Sequence, residues 1–211
     1  MTEKKAPPQC KVQRAESRRQ QVLDAAATCF RRNGFRGASM SDISTLAGMS
    51  TGHIYHYFKS KEAIVEAIVQ RDLQHGLAYI ETIKKADNIV QAVIDVATDC
   101  IIDRSHMSEP ALFMEILAEA SRNPTVAVIM NNCKDSVRRS LLDALEIGRK
   151  QGSVAADADV DVACTMLMLI FDGVTVQSTL NPLFHRDAIM QQMGLLLDRV
   201  LRPAPDHASV A

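Results

Sequence analysis

The sequence predicts an all-α fold in two parts, a three-helix head and a larger helical body. Three observations lead there. Apolar residues recur at spacings of three and four along most of the chain, the period of helices with one buried face. Aromatic residues make up only 4% of the 211 residues, tryptophan is absent, and the nine glycines and seven prolines are scattered. That composition disfavours a β-rich fold, while a hydrophobic content of 47% supplies a core. Residues 39–62 (SMSDISTLAGMSTGHIYHYFKSKE) read as two short helices joined by a tight turn.

Residues 1–13 are polar, basic and proline-containing, and are expected to form a disordered arm. The first helix should span residues 14–33, with Val22, Ala26, Cys29 and Phe30 on one face and Gly34 as its stop. Arg14, Arg18 and Arg19 line its early turns, either meeting phosphates or simply solvated. Ser39 caps the second helix, with Asp42 three residues on completing a capping box. Ile43, Leu46 and Ala47 form its apolar face, and Gly48 makes the turn. Ser50 caps the third helix, which turns Ile54 and Phe58 inward. Thr51, Gly52, His53, Tyr55, His56 and Tyr57 are left on its outer side. A short second helix of this kind suits the major groove of double-stranded DNA.

A fourth helix starts at Ser60 and runs to about residue 84, with Ile64, Val65, Ile68 and Leu73 inward. Asn88, Ser108 and Asn123 each cap a further helix, the last beginning on Pro124 and ending at Gly152. Asp159 opens a nearly all-apolar helix to about residue 180, ended by Asn181 and Pro182. A last amphipathic helix covers residues 185–201. Two domains flanked by an arm and a tail are therefore expected: a disordered arm (1–13), a helix–turn–helix domain (14–60), a helical body (61–202) and a disordered tail (203–211).

Charge divides along the same line. Residues 1–61 carry eleven Lys/Arg against four Asp/Glu, a net of 11 − 4 = +7. The remainder carries thirteen against twenty-one, 13 − 21 = −8. A basic head on an acidic body fits a head that binds a polyanion. The five cysteines show no CxxC spacing, and the N-terminus has no apolar leader. A cytoplasmic protein without disulfides is expected. Residues 160–176 are interrupted by Asp161 and Asp172 and read as too short to span a bilayer. No catalytic or nucleotide-binding motif occurs, so neither enzyme activity nor a cofactor is expected. His53 and His56 have i,i+3 spacing, but a metal there would obstruct the DNA-facing helix, so no metal is expected either.

Residues 43–62 resemble the signature of the TetR/AcrR family of bacterial one-component regulators. Ala47-Gly48, Ser50, Gly52, Tyr55, Phe58-Lys59 and Lys61-Glu62 fall in its register. Residues 23–30 and 33–39 are similar to its first helix and connecting loop. Met49 stands where valine is commoner and Tyr57 where histidine is frequent. The resemblance is specific over the first third of the chain and architectural beyond it. It implies that Thr51, Gly52, His53 and Tyr55 approach base edges, with His56 in the same DNA-reading segment. It also implies that Ser39, Ser50, Tyr57, Lys59 and Lys61 hold phosphates.

For the body, the resemblance implies a homodimer through the last two helices and a cavity for a small-molecule effector. A helix apolar on most sides needs partners on most sides, and Cys164, Met168, Met193, Leu196 and Leu197 are the expected dimer contacts. Met107, Met114, Met130 and Met166, with Phe113, Leu117, Cys133 and Phe171, are candidate pocket residues. Methionine suits surfaces that accommodate varied apolar shapes, although it equally fills cores. His106, Asp172 and Gln177 are the candidate polar fixed points. Asp172 must be paired, protonated or exposed; a ligand donor, a bond across the dimer and a solvated edge each satisfy it. The expectation is a ligand-responsive dimeric repressor on a palindromic operator; alternatives are a DNA-binding protein without effector and a helical enzyme or carrier.

Overall fold

The computed structural model describes residues 8–102, 109–181 and 183–202. These form α1 (Pro8–Gly37), α2 (Met40–Leu46), α3 (Thr51–Tyr57), α4 (Lys61–Ile83), α5 (Ile89–Ile102), α6 (Pro110–Ala120), α7 (Pro124–Gln151), α8 (Val160–Leu180) and α9 (Arg186–Leu201). No strand occurs among the described residues. The expected caps at Asn88, Asn123 and Asp159 are made: their side chains accept from Gln91, Thr125 and Val162 at 3.0, 3.1 and 3.0 Å. The expected cap at Ser108, the helix stop at Pro182 and the C-terminal tail lie outside the described residues, as does the arm up to residue 7.

Two differences from the expected boundaries stand out. Helix α1 begins at Pro8, so residues 8–13 are helical rather than disordered; proline fits a first helical turn because its missing N–H would be unpaired there anyway. The chain also divides into compact units that are not contiguous in sequence. One unit comprises Met1–Val69 with Ala111–Met130, the other Gln70–Pro110 with Asn131–Ala211. Helix α6 and the start of α7 therefore belong with the helix–turn–helix rather than with the body.

In the N-terminal unit α1 packs on α2 and α2 on α3. Val22, Leu23, Ala26, Cys29 and Phe30 of α1 are buried, with Ile43, Ile54, Phe58, Ile64 and Ile68. From α6 and α7, Leu112, Ile116, Val126 and Met130 are buried as well. Leu46, expected inward, is 48% exposed; the seven-residue α2 has room for one buried stripe, and Ile43 and Ala47 fill it.

In the C-terminal unit α5, α8 and α9 pack on one another. Their core contains Ile89, Val90, Val93, Leu145, Ala163, Cys164, Leu167, Met190, Met193, Leu197 and Leu201. Gly148 is required there by space: a Cβ would lie 2.8 Å from Val154 and 2.9 Å from Ile89. Helix α8 has 21 residues and a mean hydropathy of 1.5 over its most apolar window. By length and composition alone it is not too short to cross a membrane, contrary to expectation, but a helix packed into a protein core, as α8 is here, meets the same criterion.

Candidate nucleic-acid interface

The α2–α3 pair is fixed by local bonds that its sequence specifies. Ser39 Oγ accepts from the Asp42 N–H at 3.1 Å, and the Ser39 N–H donates to Asp42 Oδ2 at 2.8 Å. Ser39 Oγ also donates to that carboxylate at 2.6 Å. The hydrogen bonds from Ser39 hold the Asp42 carboxyl below its usual range. At the turn Gly48 has φ 61°, a left-handed conformation that glycine adopts without strain. Across it Ser44 and Thr51 share a hydroxyl bond of 2.9 Å, and Gln21 of α1 donates to the Ala47 carbonyl at 2.7 Å. Ser50 then caps α3 by accepting from the His53 N–H at 3.3 Å.

With Ile54 and Phe58 buried, α3 presents Gly52, His53, Tyr55 and His56 to the outside, while Thr51 and Tyr57 are half-buried. Gly52 sits in ordinary helical backbone, and a Cβ there would meet nothing within 4 Å. It lies in the first turn of α3, and the space outside it is open, as it is at Gly76 and Gly173. The rings of His53 and His56 lie 5.3 and 5.4 Å from that of Tyr57, which orients all three.

Among the phosphate candidates the structure separates two classes. Ser50, Tyr57 and Lys59 are at the surface or half-buried in or next to α3, and the exposed Lys59 makes one bond, at 2.9 Å, to the Tyr55 carbonyl, whereas Lys61 makes two to part-buried carbonyls. Ser39 and Lys61 are differently employed. The Ser39 hydroxyl proton is directed at Asp42, so it is not available to a phosphate. Lys61 Nζ donates to the carbonyls of Phe35 and Ala38, the latter at 2.8 Å, and sits 4.5 Å from the centre of the Phe35 ring. Its ammonium is committed to the α1–α2 turn, because the helix break there leaves carbonyls without helical partners. Sequence spacing places a lysine beside the groove; only the fold shows which way it reaches. Arg19 lies over Phe58, 5.2 Å from its ring centre, and 3.8 Å from Glu16.

The candidate pocket residues are divided between the units. Phe113 and Met114 are half-buried, Leu117 is exposed and Met130 buried in the N-terminal unit; Cys133, Phe171 and Asp172 are half-buried in the C-terminal one. His106 and Met107 lie outside the described residues. Asp172 is paired with Lys134 of α7, a partner not foreseen from sequence. Met166 and Gln177 are exposed on α8. A groove of about 470 Å³ between α5 and α9, lined by Ile94, Thr98, Met190 and Gly194, contains none of the expected pocket residues. Burial pushes the thiols of Cys29, Cys133 and Cys164 up, which favours the protonated thiol over the nucleophilic thiolate.

The expected dimer contacts need correcting in detail. Cys164, Met193 and Leu197 are buried in the unit's own core, and Met168 packs against it. Of the five, only Leu196 is exposed, at 52%. The exposed apolar residues are Val162, Met166, Leu169 and Leu180 on α8, with Ile189, Leu195, Leu196 and Val200 on α9. Val162, Met166 and Leu169 lie one helical turn apart, and Ile189, Leu196 and Val200 two turns and one turn apart, each set on a stripe the core does not use.

Residues 22–68 match the family described as "Bacterial regulatory proteins, tetR family". Residues 90–202, more than half the chain, match the "BetI-type transcriptional repressor, C-terminal" family. The chain is similar to the HTH-type transcriptional regulator UidR of Escherichia coli K12, at 28% identity over 191 residues, 89% of this chain and 94% of that protein. It is similar to the HTH-type transcriptional repressor KstR2 of Rhodococcus jostii, at 29% identity over 153 residues, 71% of this chain and 74% of that one. Among solved structures, Salmonella enterica GusR superposes with a TM-score of 0.76 at 29% identity, covering 88% of this chain and 95% of that chain.

Proposed function

The chain belongs to the TetR family of bacterial regulatory proteins, and we propose that it acts in the cytoplasm as a homodimeric repressor released by a small-molecule effector. Thr51, Gly52, His53 and Tyr55 approach base edges of a palindromic operator, with His56 beside them. Ser50, Tyr57 and Lys59 hold phosphates and set the register. The observation that carries this reading is the outer face of α3, where a capped helix on a buried core leaves Gly52, His53, Tyr55 and His56 at the surface.

Dimerisation is supported by the open apolar stripes of α8 and α9, which a second copy of the same surface would cover. It is supported too by the size of α3. One seven-residue helix reaches few base pairs, so two copies are needed to read half-sites about one turn, ~34–36 Å, apart. Relatives named as repressors favour the repressing sign. For the effector, the half-buried Lys134–Asp172 pair between α7 and α8, with Cys133 and Phe171 adjacent in sequence, is the candidate polar fixed point.

Genomic DNA fragments retained by the purified chain, once sequenced, test the reading. An enriched palindrome is expected, bound two chains to a site, with affinity that falls steeply with salt. Retention without sequence preference, or one chain per site, would overturn it. Small molecules related to the products of the neighbouring genes should then lower operator affinity, and operator should lower theirs by the same factor.

A further inference from the structure

The break in α1 is held from a helix that lies some eighty residues further along the chain. Gly34 leaves helical geometry with φ 71° and ψ 164°, so the next N–H, that of Phe35, has no helical acceptor. It donates instead to Glu115 Oε1 of α6 at 2.6 Å. The Phe35 carbonyl is taken by Lys61, whose ammonium also covers the Phe35 ring. That ring lies 5.3 Å from Phe30 in the core of α1. Both backbone groups of one residue are thus held by opposite charges, the carboxylate from α6 and the ammonium from the start of α4. One helical turn beyond Glu115, the buried Glu119 lies 2.7 Å from Arg122 and 3.6 Å from Arg36. Asn123 donates to Glu62 at 3.4 Å. Although burial opposes it, hydrogen bonds from the Glu62 N–H, Ser60 and Asn123 keep that carboxyl below its usual range.

From Gly34 only four residues lead to the Ser39 cap of α2, and α2 fixes α3 through Ser44 and Thr51. The angle at which α1 ends therefore sets where the DNA-facing helix stands. We propose that Glu115 is a positioning residue for operator binding: its carboxylate clamps the α1–α2 turn and so aims α3, without itself approaching DNA. The role extends the DNA-binding reading to a residue from the second half of the chain. It also gives Gly34 a reason beyond its φ, since a Cβ there would lie 3.3 Å from the Glu115 carboxylate.

The test uses the full chain and its selected operator, with Glu115→Ala and Glu115→Gln. Alanine leaves the Phe35 N–H without an acceptor; glutamine keeps an acceptor oxygen. Glu115→Ala should lower operator affinity roughly tenfold or more and leave the slope of log K against log salt unchanged, because no phosphate contact is lost. Amide exchange over residues 34–47 of the DNA-free chain should quicken. Glu115→Gln should restore affinity to within about threefold of native. Titration at stoichiometric concentrations fixes the amount of binding-competent protein in each variant. Native affinity per competent Glu115→Ala chain overturns the role, as does a Glu115→Gln variant no better than alanine or a shallower salt slope. A native chain that binds no DNA sinks the DNA-binding reading itself, which is a different result from native-like binding by the alanine variant.

Discussion

On α3 the side chains left at the surface are small, polar or aromatic with a polar tip: Gly52, His53, Tyr55 and His56. On α8 and α9 they include Val162, Met166, Leu169, Ile189, Leu196 and Val200. Both faces sit opposite a well-filled core, so neither is an accident of poor packing. The first can remain in water when its partner is absent, which suits a reversible contact with a charged, hydrated polymer. The second exposes apolar area continuously unless something covers it, which suits a partner that stays. Charge follows the same division, basic in residues 1–61 and acidic beyond.

The largest effect should come from adjacent residues on the two sides of α9. Leu197 is 4% exposed and Leu196 is 52% exposed. Leu197→Glu places an unpaired charge in the core and should cost about 3–5 kcal/mol, enough to abolish a cooperative thermal transition followed by circular dichroism. Leu196→Glu should keep that transition. Equal loss of folding in both variants would erase the distinction between core and open stripe.

Next in size is the change of assembly. Leu169, 66% exposed on α8, should tolerate glutamate as a folded chain, while sedimentation shifts from dimer to monomer and operator binding weakens by orders of magnitude. A native chain that sediments as a monomer at micromolar concentration would mean that the stripes serve some other partner.

A smaller effect separates the two lysines near α3. Lys61→Ala should lower stability in urea by about 1–3 kcal/mol, because the turn carbonyls lose a charged donor, with little change in salt dependence. Lys59→Ala loses one exposed bond to the Tyr55 carbonyl, so it should lower stability less than Lys61→Ala and make the log K against log salt slope shallower by about one unit. A reversed pattern would return Lys61 to the DNA surface.

The smallest concerns acid. Asp42 is held below its usual 3.8 by hydrogen bonds from Ser39. Its folded value lies under its unfolded one, so its contribution to capping α2 is complete above about pH 4. That contribution is lost as the pH falls through the folded value. Carboxyl NMR titration should show the depressed midpoint in the native chain and a return toward the ordinary value in Ser39→Ala. An unshifted midpoint in the native chain would remove the capping box from the account.

Most of the helices were legible because their signals are local. Ser39 with Asp42, Ser50, Asn123 before Pro124, and Asp159 mark starts within a few residues of the backbone groups they bond. Leu46 is exposed against the expectation because a seven-residue helix gives too few turns for periodicity to choose between adjacent apolar positions. Cys164, Met193 and Leu197 face the chain's own core against the expectation for a related reason. Both α8 and α9 carry a second apolar stripe beside the buried one, with Val162, Met166 and Leu169 on α8 and Ile189, Leu196 and Val200 on α9, and hydropathy cannot say which stripe the chain keeps for itself.

The sequence by itself determined the helical class, the capped helix–turn–helix with its outward residues, and the partition of charge, because each follows from spacing or composition within one segment. Tertiary structure alone decided that Lys61 turns back to Phe35 and Ala38, that Asp172 finds Lys134, and that Glu115 takes the Phe35 N–H from eighty residues away. A charged side chain several bonds long reaches partners in several directions. Which it takes depends on the backbone groups and opposite charges that distant segments bring within hydrogen-bond range, and no local pattern encodes that.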